Sequence, residues 1–149
     1  MRHRLSGMIV LFAMGCLISG CTADSSCGAL AGGAGTPSIV FTKVPDKGST
    51  GDVEGLVQHV IPSSNFVAIY LHVPGLGWWT KPEFASPETS IHCDGSFSSE
   101  IVTGGDDAYG DQVAAFVFPS GYQVPLLSGS NTLPASLYSG SLAHVSVAR

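Results

Sequence analysis

Turn-forming residues interrupt this chain at short intervals from Pro37 onward, which limits what it can fold into. Clusters of Gly, Pro, Asp, Asn and Ser separate apolar runs of strand length, and no long stretch keeps the periodicity of a helix. This pattern is typical of antiparallel β-sandwiches and predicts an all-β fold of about seven strands. The predicted strands are Ser38–Lys43, Val53–Ile61, Phe66–Val73, Trp78–Lys81, Ser96–Val102, Val113–Pro119 and Leu142–Ala148.

Two of these runs alternate as half-buried strands do. Successive side chains of a strand point to opposite faces, so the run from Phe66 to Val73 should turn Val67, Ile69 and Leu71 inward. The run from Leu142 to Ala148 has the same alternation. In contrast, Val113 to Phe118 is apolar on both faces, which predicts a central strand under a covering element. Leu133–Tyr138 has room for one helical turn.

The first twenty residues read as a removable export signal. Basic residues near Met1 precede an apolar run from Met8 to Ile18, which is too short to span a bilayer as a helix. Ile18-Ser19-Gly20-Cys21 resembles the bacterial lipobox. That resemblance implies that the chain is cut before Cys21 and acylated on it, and Thr22 in the next position implies the outer membrane. The alternative is a plain secretory signal cut near Gly20, which would leave Cys21 an ordinary thiol.

The mature chain then divides into a tether and one domain. Residues 21–36 hold the candidate lipidated Cys21 and a Gly-rich flexible linker, and residues 37–149 form the domain. Arg2 and Arg4 belong to the signal, which leaves four basic residues against eleven acidic ones. Because nucleic-acid affinity is built from Lys and Arg contacts, this charge balance excludes nucleic acid as the main partner.

Several segments carry a family resemblance. Val44 to Gly55 and the hairpin Cys93-Asp94-Gly95-Ser96-Phe97 resemble bacterial Ig-like and fibronectin-like modules. Gly75–Pro82, Thr103–Asp106 and Leu133–Tyr138 are similar to an accessory module of secreted bacterial glycoside hydrolases. The resemblance implies an Ig-like sandwich over residues 37–149, with no catalytic domain beside it in this sequence and no ligand role to transfer.

The adjacent Trp78 and Trp79 are the strongest candidate binding residues. In an extended strand they must point to opposite faces, so one enters the core and the other faces outward. An outward indole can stack on the C–H groups of a sugar ring, and Tyr70 and His72 on the neighbouring strand could extend an aromatic strip. The alternatives are that the outward Trp lies beneath the 83–88 loop and that Tyr70 and His72 simply pair across the sheet.

Other polar groups give weaker signals. Asp106, Asp107 and Asp111 lie in a Gly-flanked loop whose oxygen ligands would suit Ca²⁺, although a solvated loop is the alternative and no D-x-D-x-D-G pattern is present. The histidines lack metal-ligand spacing. No G-x-S-x-G motif occurs, and we expect no enzymatic activity.

Cys27 and Cys93 remain once Cys16 leaves with the signal and Cys21 is acylated. An exported compartment permits disulfides, and leftover thiols there are usually paired, so we predict a Cys27–Cys93 bridge. Two free thiols are the alternative, because Cys27 lies in the predicted linker.

Together these features predict a bacterial outer-membrane lipoprotein that presents a non-catalytic binding module. The lipid anchor makes the membrane one partner. The other is a polysaccharide or cell-wall glycan, with an envelope protein as the alternative.

Overall fold

A computed structural model describes residues 27–149. The predicted signal at 1–20, the lipobox with Cys21 and residues 22–26 lie outside this part of the chain. Within it, nine strands form two antiparallel sheets and there is one short α-helix, which confirms the all-β sandwich. The elements are β1 (Ser38–Lys43), β2 (Val53–Gln58), β3 (Asn65–Val73), β4 (Gly77–Lys81), β5 (Glu88–Ser90), β6 (Ser96–Ser99), β7 (Gln112–Pro119), β8 (Ser128–Ser130), α1 (Ala135–Gly140) and β9 (Ala143–Ala148).

The strand count is nine rather than the predicted seven. The additional strands, β5 and β8, have three residues each and lie in segments without an apolar run. β5 pairs with the first half of β3, and β8 pairs with β4. Their extended conformation is therefore supported by hydrogen-bonding groups of longer strands, a long-range cause that local sequence patterns do not reveal.

The two sheets differ in size. The smaller has the order β1-β2-β6, and the larger has the order β8-β4-β3-β7-β9, with β5 beside β3. Between them lies the main core, in which Val67, Ile69 and Leu71 of β3 pack with Val57 and Phe97 of the smaller sheet. The inward face predicted for β3 is thus confirmed.

A second apolar layer covers the outer face of the larger sheet. The chain from β7 to α1 folds back over this face, where Leu127 and Leu137 pack on Tyr70, Phe116 and others. Hydrogen bonds hold this covering segment: the Tyr70 hydroxyl donates to Pro125 O at 2.8 Å, Leu127 N donates to Thr80 Oγ1 at 2.8 Å, and Thr80 N donates to Leu127 O at 2.9 Å. This layer explains why β7 is apolar on both faces, as predicted.

The strands run between two ends of the sandwich. We call the end where β2 stops and β3 begins the entry end, because Cys27, the first described residue, contacts Ser63 there. Ser120 lies at the same end, where its backbone N donates to Ser64 O at 2.9 Å. The opposite end is the cleft end, where β3 and β9 finish and β7 begins.

At the cleft end one side chain joins two loops. The Arg149 guanidinium donates to backbone carbonyls of the 45–49 loop, including Pro45 O at 3.0 Å, and to Asp107 O at 3.2 Å. Partial burial of the guanidinium is the largest influence on the pKa of Arg149 and lowers it. Five carbonyl acceptors around one cation fix these loops relative to each other.

The predicted Cys27–Cys93 disulfide is present. It ties the start of the described chain to the turn between β5 of the larger sheet and β6 of the smaller sheet. Residues 27–35 pack on the entry end: Ala31 is buried and exchanges backbone hydrogen bonds with Val60 and His59, and His59 Nδ1 lies 2.9 Å from Gly33 O. This part of the predicted flexible linker is therefore attached to the domain, because the disulfide and these bonds offset the ordering entropy of a Gly-rich segment.

Candidate functional site

Trp78 and Trp79 lie on β4 with their side chains on opposite faces, as predicted. Trp78 lies opposite His72 and belongs to the outer apolar layer, where it is only 8% exposed. Trp79 lies opposite Leu71 and packs partly against the main core. The covering segment thus buries the outward indole, whereas the inward indole lies at a margin of the core where solvent reaches it.

Trp79 lines a cleft of about 460 Å³. Ligand sites in proteins typically enclose about 300–1,000 Å³, so this cleft can hold one or two sugar-sized rings. Its walls come from the β3–β4 turn, the end of β4 with the turn after it, and the loop between β6 and β7. The lining residues are Val73, Leu76, Trp79, Thr80, Lys81, Pro82, Glu83, Phe84, Thr103, Gly104, Gly105, Asp106 and Asp107.

A buried ion pair forms part of this lining. Lys81 is 4% exposed, and its Nζ contacts Asp107 Oδ2 and donates to Thr103 Oγ1 at 3.1 Å. The same Oδ2 atom accepts the Thr103 amide at 3.0 Å. Since a buried charge is tolerated only when paired and hydrogen-bonded, this network compensates the charges of Lys81 and Asp107 and fixes the 103–107 loop against β4.

Apolar and acidic groups frame the cleft. Phe84 is 43% exposed and Leu76 is also exposed, so both present apolar surface to solvent. Glu83 and Asp106 are exposed carboxylates in the same lining. A second hollow of about 420 Å³ adjoins the cleft and shares Val73, Leu76 and Asp106 with it, adding the exposed ring of Tyr109. The cleft end therefore combines aromatic surface with hydrogen-bond acceptors.

The indole N–H of Trp79 is a buried donor without a partner among residues 27–149. Buried donors that lack a partner are uncommon in folded proteins. The ring lies beside Gly129 of β8, where an added Cβ would be 3.5 Å from Trp79 Cζ2. That distance is an ordinary van der Waals contact, whereas the same Cβ would be 2.9 Å from Leu76 O, so the backbone of the β3–β4 turn is what keeps this position a glycine.

The structure separates Tyr70 from the predicted aromatic strip. Tyr70 has 0% exposure beneath the covering segment, so it offers no accessible ring, and burial raises its pKa well above the usual range. His72 is partly exposed on the same face, 5.2 Å from the Trp78 ring, with Nδ1 2.6 Å from Asp111 Oδ1. These two residues and Trp78 lie on the face of β3–β4 that is turned away from the cleft.

The three aspartates predicted as a weak calcium site have different environments. Asp106 lies at the cleft, Asp107 is in the buried ion pair, and Asp111 contacts His72. Across residues 27–149 no group of three or more His, Cys, Asp or Glu residues is arranged to hold a metal ion. The loop does not bring the three carboxylates together.

Sequence reasoning missed most of the cleft. Lys81 and Thr103 are 22 residues apart and Lys81 and Asp107 are 26 apart, and neither pair forms a recognisable motif. One signal was available in the sequence, the lysine that ends the Gly-Trp-Trp-Thr-Lys strand. A lysine in an otherwise apolar strand is buried only if an acidic side chain pairs with it, so its position indicates a partner elsewhere in the chain.

No family model, no curated protein and no solved structure matches this chain. The described residues also contain no helix of the length and apolar character needed to cross a membrane.

Proposed function

We propose that the chain is a bacterial outer-membrane lipoprotein whose domain is a non-catalytic binding module for carbohydrate, such as a cell-wall glycan. The observation that carries this proposal is the cleft in which Trp79 and Phe84 share one lining with polar side chains. Anchoring rests on the lipobox resemblance at Cys21.

The lining suits a hydroxylated ring. Aromatic faces attract the slightly positive C–H groups of a sugar, while Glu83 and Asp106 can accept hydrogen bonds from its hydroxyls. Lys81, in contrast, is buried and bonded to Thr103 and Asp107, so the exposed carboxylates are the polar groups best placed to meet a ligand. The exposed carboxylates disfavour anionic polysaccharides, so we expect neutral or amine-bearing sugars to bind best.

A second function is favoured by a specific observation. Leu76, Phe84 and Tyr109 are all exposed at or beside the cleft. Aromatic and apolar side chains grouped on one surface are also typical of protein–protein contacts, so an envelope protein is the alternative partner.

The test is retention on a panel of insoluble polysaccharides and a glycan array, with the full acylated chain in detergent micelles. We expect salt-insensitive retention on at least one neutral or amine-bearing glycan. Phe84→Ala should weaken it about two- to tenfold, because one stacked ring contributes on the order of 1 kcal/mol. Trp79→Ala should weaken it at least as much.

The matched control is Leu142→Ala, which truncates a similarly exposed apolar side chain away from the cleft. It should leave retention unchanged. Phe84→Ala should not lower the melting temperature appreciably, so loss of binding there reports contact rather than unfolding. Retention on no glycan, together with specific co-purification of an envelope protein that is lost in Phe84→Ala, would replace the carbohydrate proposal with the alternative.

A further inference from the structure

The path by which the chain enters the domain is fixed. Cys27 is bonded to Cys93, and Ser63 Oγ donates to Cys27 O at 3.1 Å. Ala31 N donates to Val60 O at 2.9 Å, and Ala31 O accepts a hydrogen bond from His59 N at 2.6 Å. The chain is therefore already attached to the folded domain at Cys27, at the entry end and upstream of Pro37.

This attachment sets a bound on the tether. Only residues 22–26 separate Cys21 from Cys27, and even a fully extended chain of that length spans no more than about 20 Å. If the domain were joined only at Pro37, the same limit would be about 55 Å. The disulfide thus shortens the longest possible tether by more than half.

The cleft lies at the other end of the sandwich. β3 begins at the entry end with Asn65 and finishes at the cleft end with Val73, which lines the cleft. Nine strand residues correspond to about 30 Å. The point of attachment and the mouth of the cleft are therefore separated by roughly the length of the domain.

We propose that the Cys27–Cys93 disulfide holds the entry end close to the membrane that carries Cys21, so that the cleft faces away from that membrane. The inference rests on the proposed lipid anchor and carbohydrate function, and it narrows the ligand. A lipid headgroup or a lipid-linked sugar in the same leaflet would lie next to the entry end, out of reach of the cleft. The ligand is instead a glycan polymer that lies beyond the domain, outside the anchoring membrane.

The test measures how far each end lies from the bilayer. An azide-bearing amino acid, which leaves the cysteines intact, replaces Leu76 at the cleft end or Ser120 at the entry end in the full acylated chain. Each variant is labelled with a donor dye and reconstituted in liposomes that contain an acceptor-labelled lipid. We expect strong energy transfer from position 120 and much weaker transfer from position 76, corresponding to a difference of about 20–30 Å.

A matched control lengthens the tether while keeping the disulfide. Insertion of ten Gly and Ser residues after Ser26 should lower transfer from position 120 and bring the two positions closer to equal. A second arm offers the liposome-bound protein a retained glycan either as free polymer or linked to a lipid of the same vesicle. Capture should be confined to the free polymer.

The failures can be told apart. Equal transfer from the two positions, or stronger transfer from position 76, overturns the orientation. If the chain does not associate with liposomes, the proposed lipid anchor is wrong and the inferred orientation fails with it. Glycan retention in micelles tests carbohydrate binding by the cleft independently of that anchor. Capture of the lipid-linked glycan overturns the assignment of the ligand.

Discussion

Tyr70 couples the stability of the domain to pH, because its hydroxyl is buried in the folded state. Its ring is fully buried, its hydroxyl donates to Pro125 O, and burial raises its pKa well above the ordinary value near 10. The unfolded chain releases this proton at a lower pH than the folded chain does. The neutral hydroxyl therefore contributes stability that is fully present below about pH 10 and is lost as pH rises above it.

We accordingly predict that Tyr70→Phe destabilises the domain at pH 7 and changes its response to alkali. Loss of the hydrogen bond leaves Pro125 O unpaired and should cost about 1–3 kcal/mol. Above about pH 10 the difference between variant and wild type should shrink, because only the wild type has this hydroxyl to ionise on unfolding. Urea denaturation at pH 7 and pH 10.5 measures this. A constant difference at both values would contradict it.

The Lys81–Asp107 pair gives a second prediction at this scale. Lys81→Met should cost about 3–5 kcal/mol in unfolding free energy, because it leaves Asp107 buried without its cation. Lys81→Met with Asp107→Asn should recover much of that loss, since the amide oxygen can still accept from Thr103. Chemical denaturation of both variants checks the expectation.

The chain offers a control for this pair. Lys43 and Glu54 form an ion pair at 2.7 Å with both side chains exposed, so Lys43→Met should leave stability nearly unchanged. Equal losses for Lys43→Met and Lys81→Met would show that burial does not govern the effect.

Among the structural elements, the turn between β5 and β6 depends on one glycine. Asp94 Oδ1 accepts Ser96 Oγ at 2.7 Å and Ser96 N at 2.9 Å, and these bonds lower the pKa of Asp94. Gly95 follows with φ of 89°, and its carbonyl accepts Val57 N at 2.8 Å. An added Cβ would collide with the Val57 carbonyl, so this turn requires glycine for both its conformation and its close contact.

We predict that Gly95→Ala destabilises the domain by more than about 1 kcal/mol. The matched control is Gly48→Ala, because Gly48 has a φ of 90° but nothing within 4 Å of an added Cβ. It should show the backbone strain alone and lower the melting temperature less. The same loss in both variants would mean that the contact with Val57 has no cost.

For the whole molecule, the disulfide is the main covalent constraint. It joins positions 66 residues apart, and closing a loop of that size contributes about 4 kcal/mol in the chain-entropy model. We predict that Cys27→Ser with Cys93→Ser lowers the unfolding free energy by up to this amount. Hydrogen exchange at the Ala31 and His59 amides should accelerate more than exchange in β3 and β7.

The measurements are urea unfolding and amide exchange of the oxidised wild type and the double variant. Reduced wild type is the control, and it should behave like the variant. Unchanged stability and exchange would show that residues 27–35 stay attached without the bond, which would remove the disulfide's part in setting the tether.

Local patterns in the sequence sufficed to predict the longer strands and the faces that those strands bury. Alternation over β3, the apolar run of β7 and the divergence of Trp78 and Trp79 follow from period-two geometry, which acts between neighbours along the chain. The Cys27–Cys93 pairing followed from compartment and elimination. The short strands β5 and β8 could not be predicted in this way, because their extended conformation depends on pairing with β3 and β4.

Tertiary structure alone decided which surface is available for binding. Tyr70 and Trp78 are buried because a covering segment about fifty residues further along the chain folds back over them, as the Tyr70–Pro125 bond shows. Lys81 and Asp107 meet only because the β6–β7 loop returns to β4. Burial and charge pairing depend on contacts between segments distant in sequence, whereas strand and turn preferences depend on adjacent residues. For that reason the sequence predicted the sandwich and singled out the tryptophans, and only the folded chain placed Trp79 in a cleft.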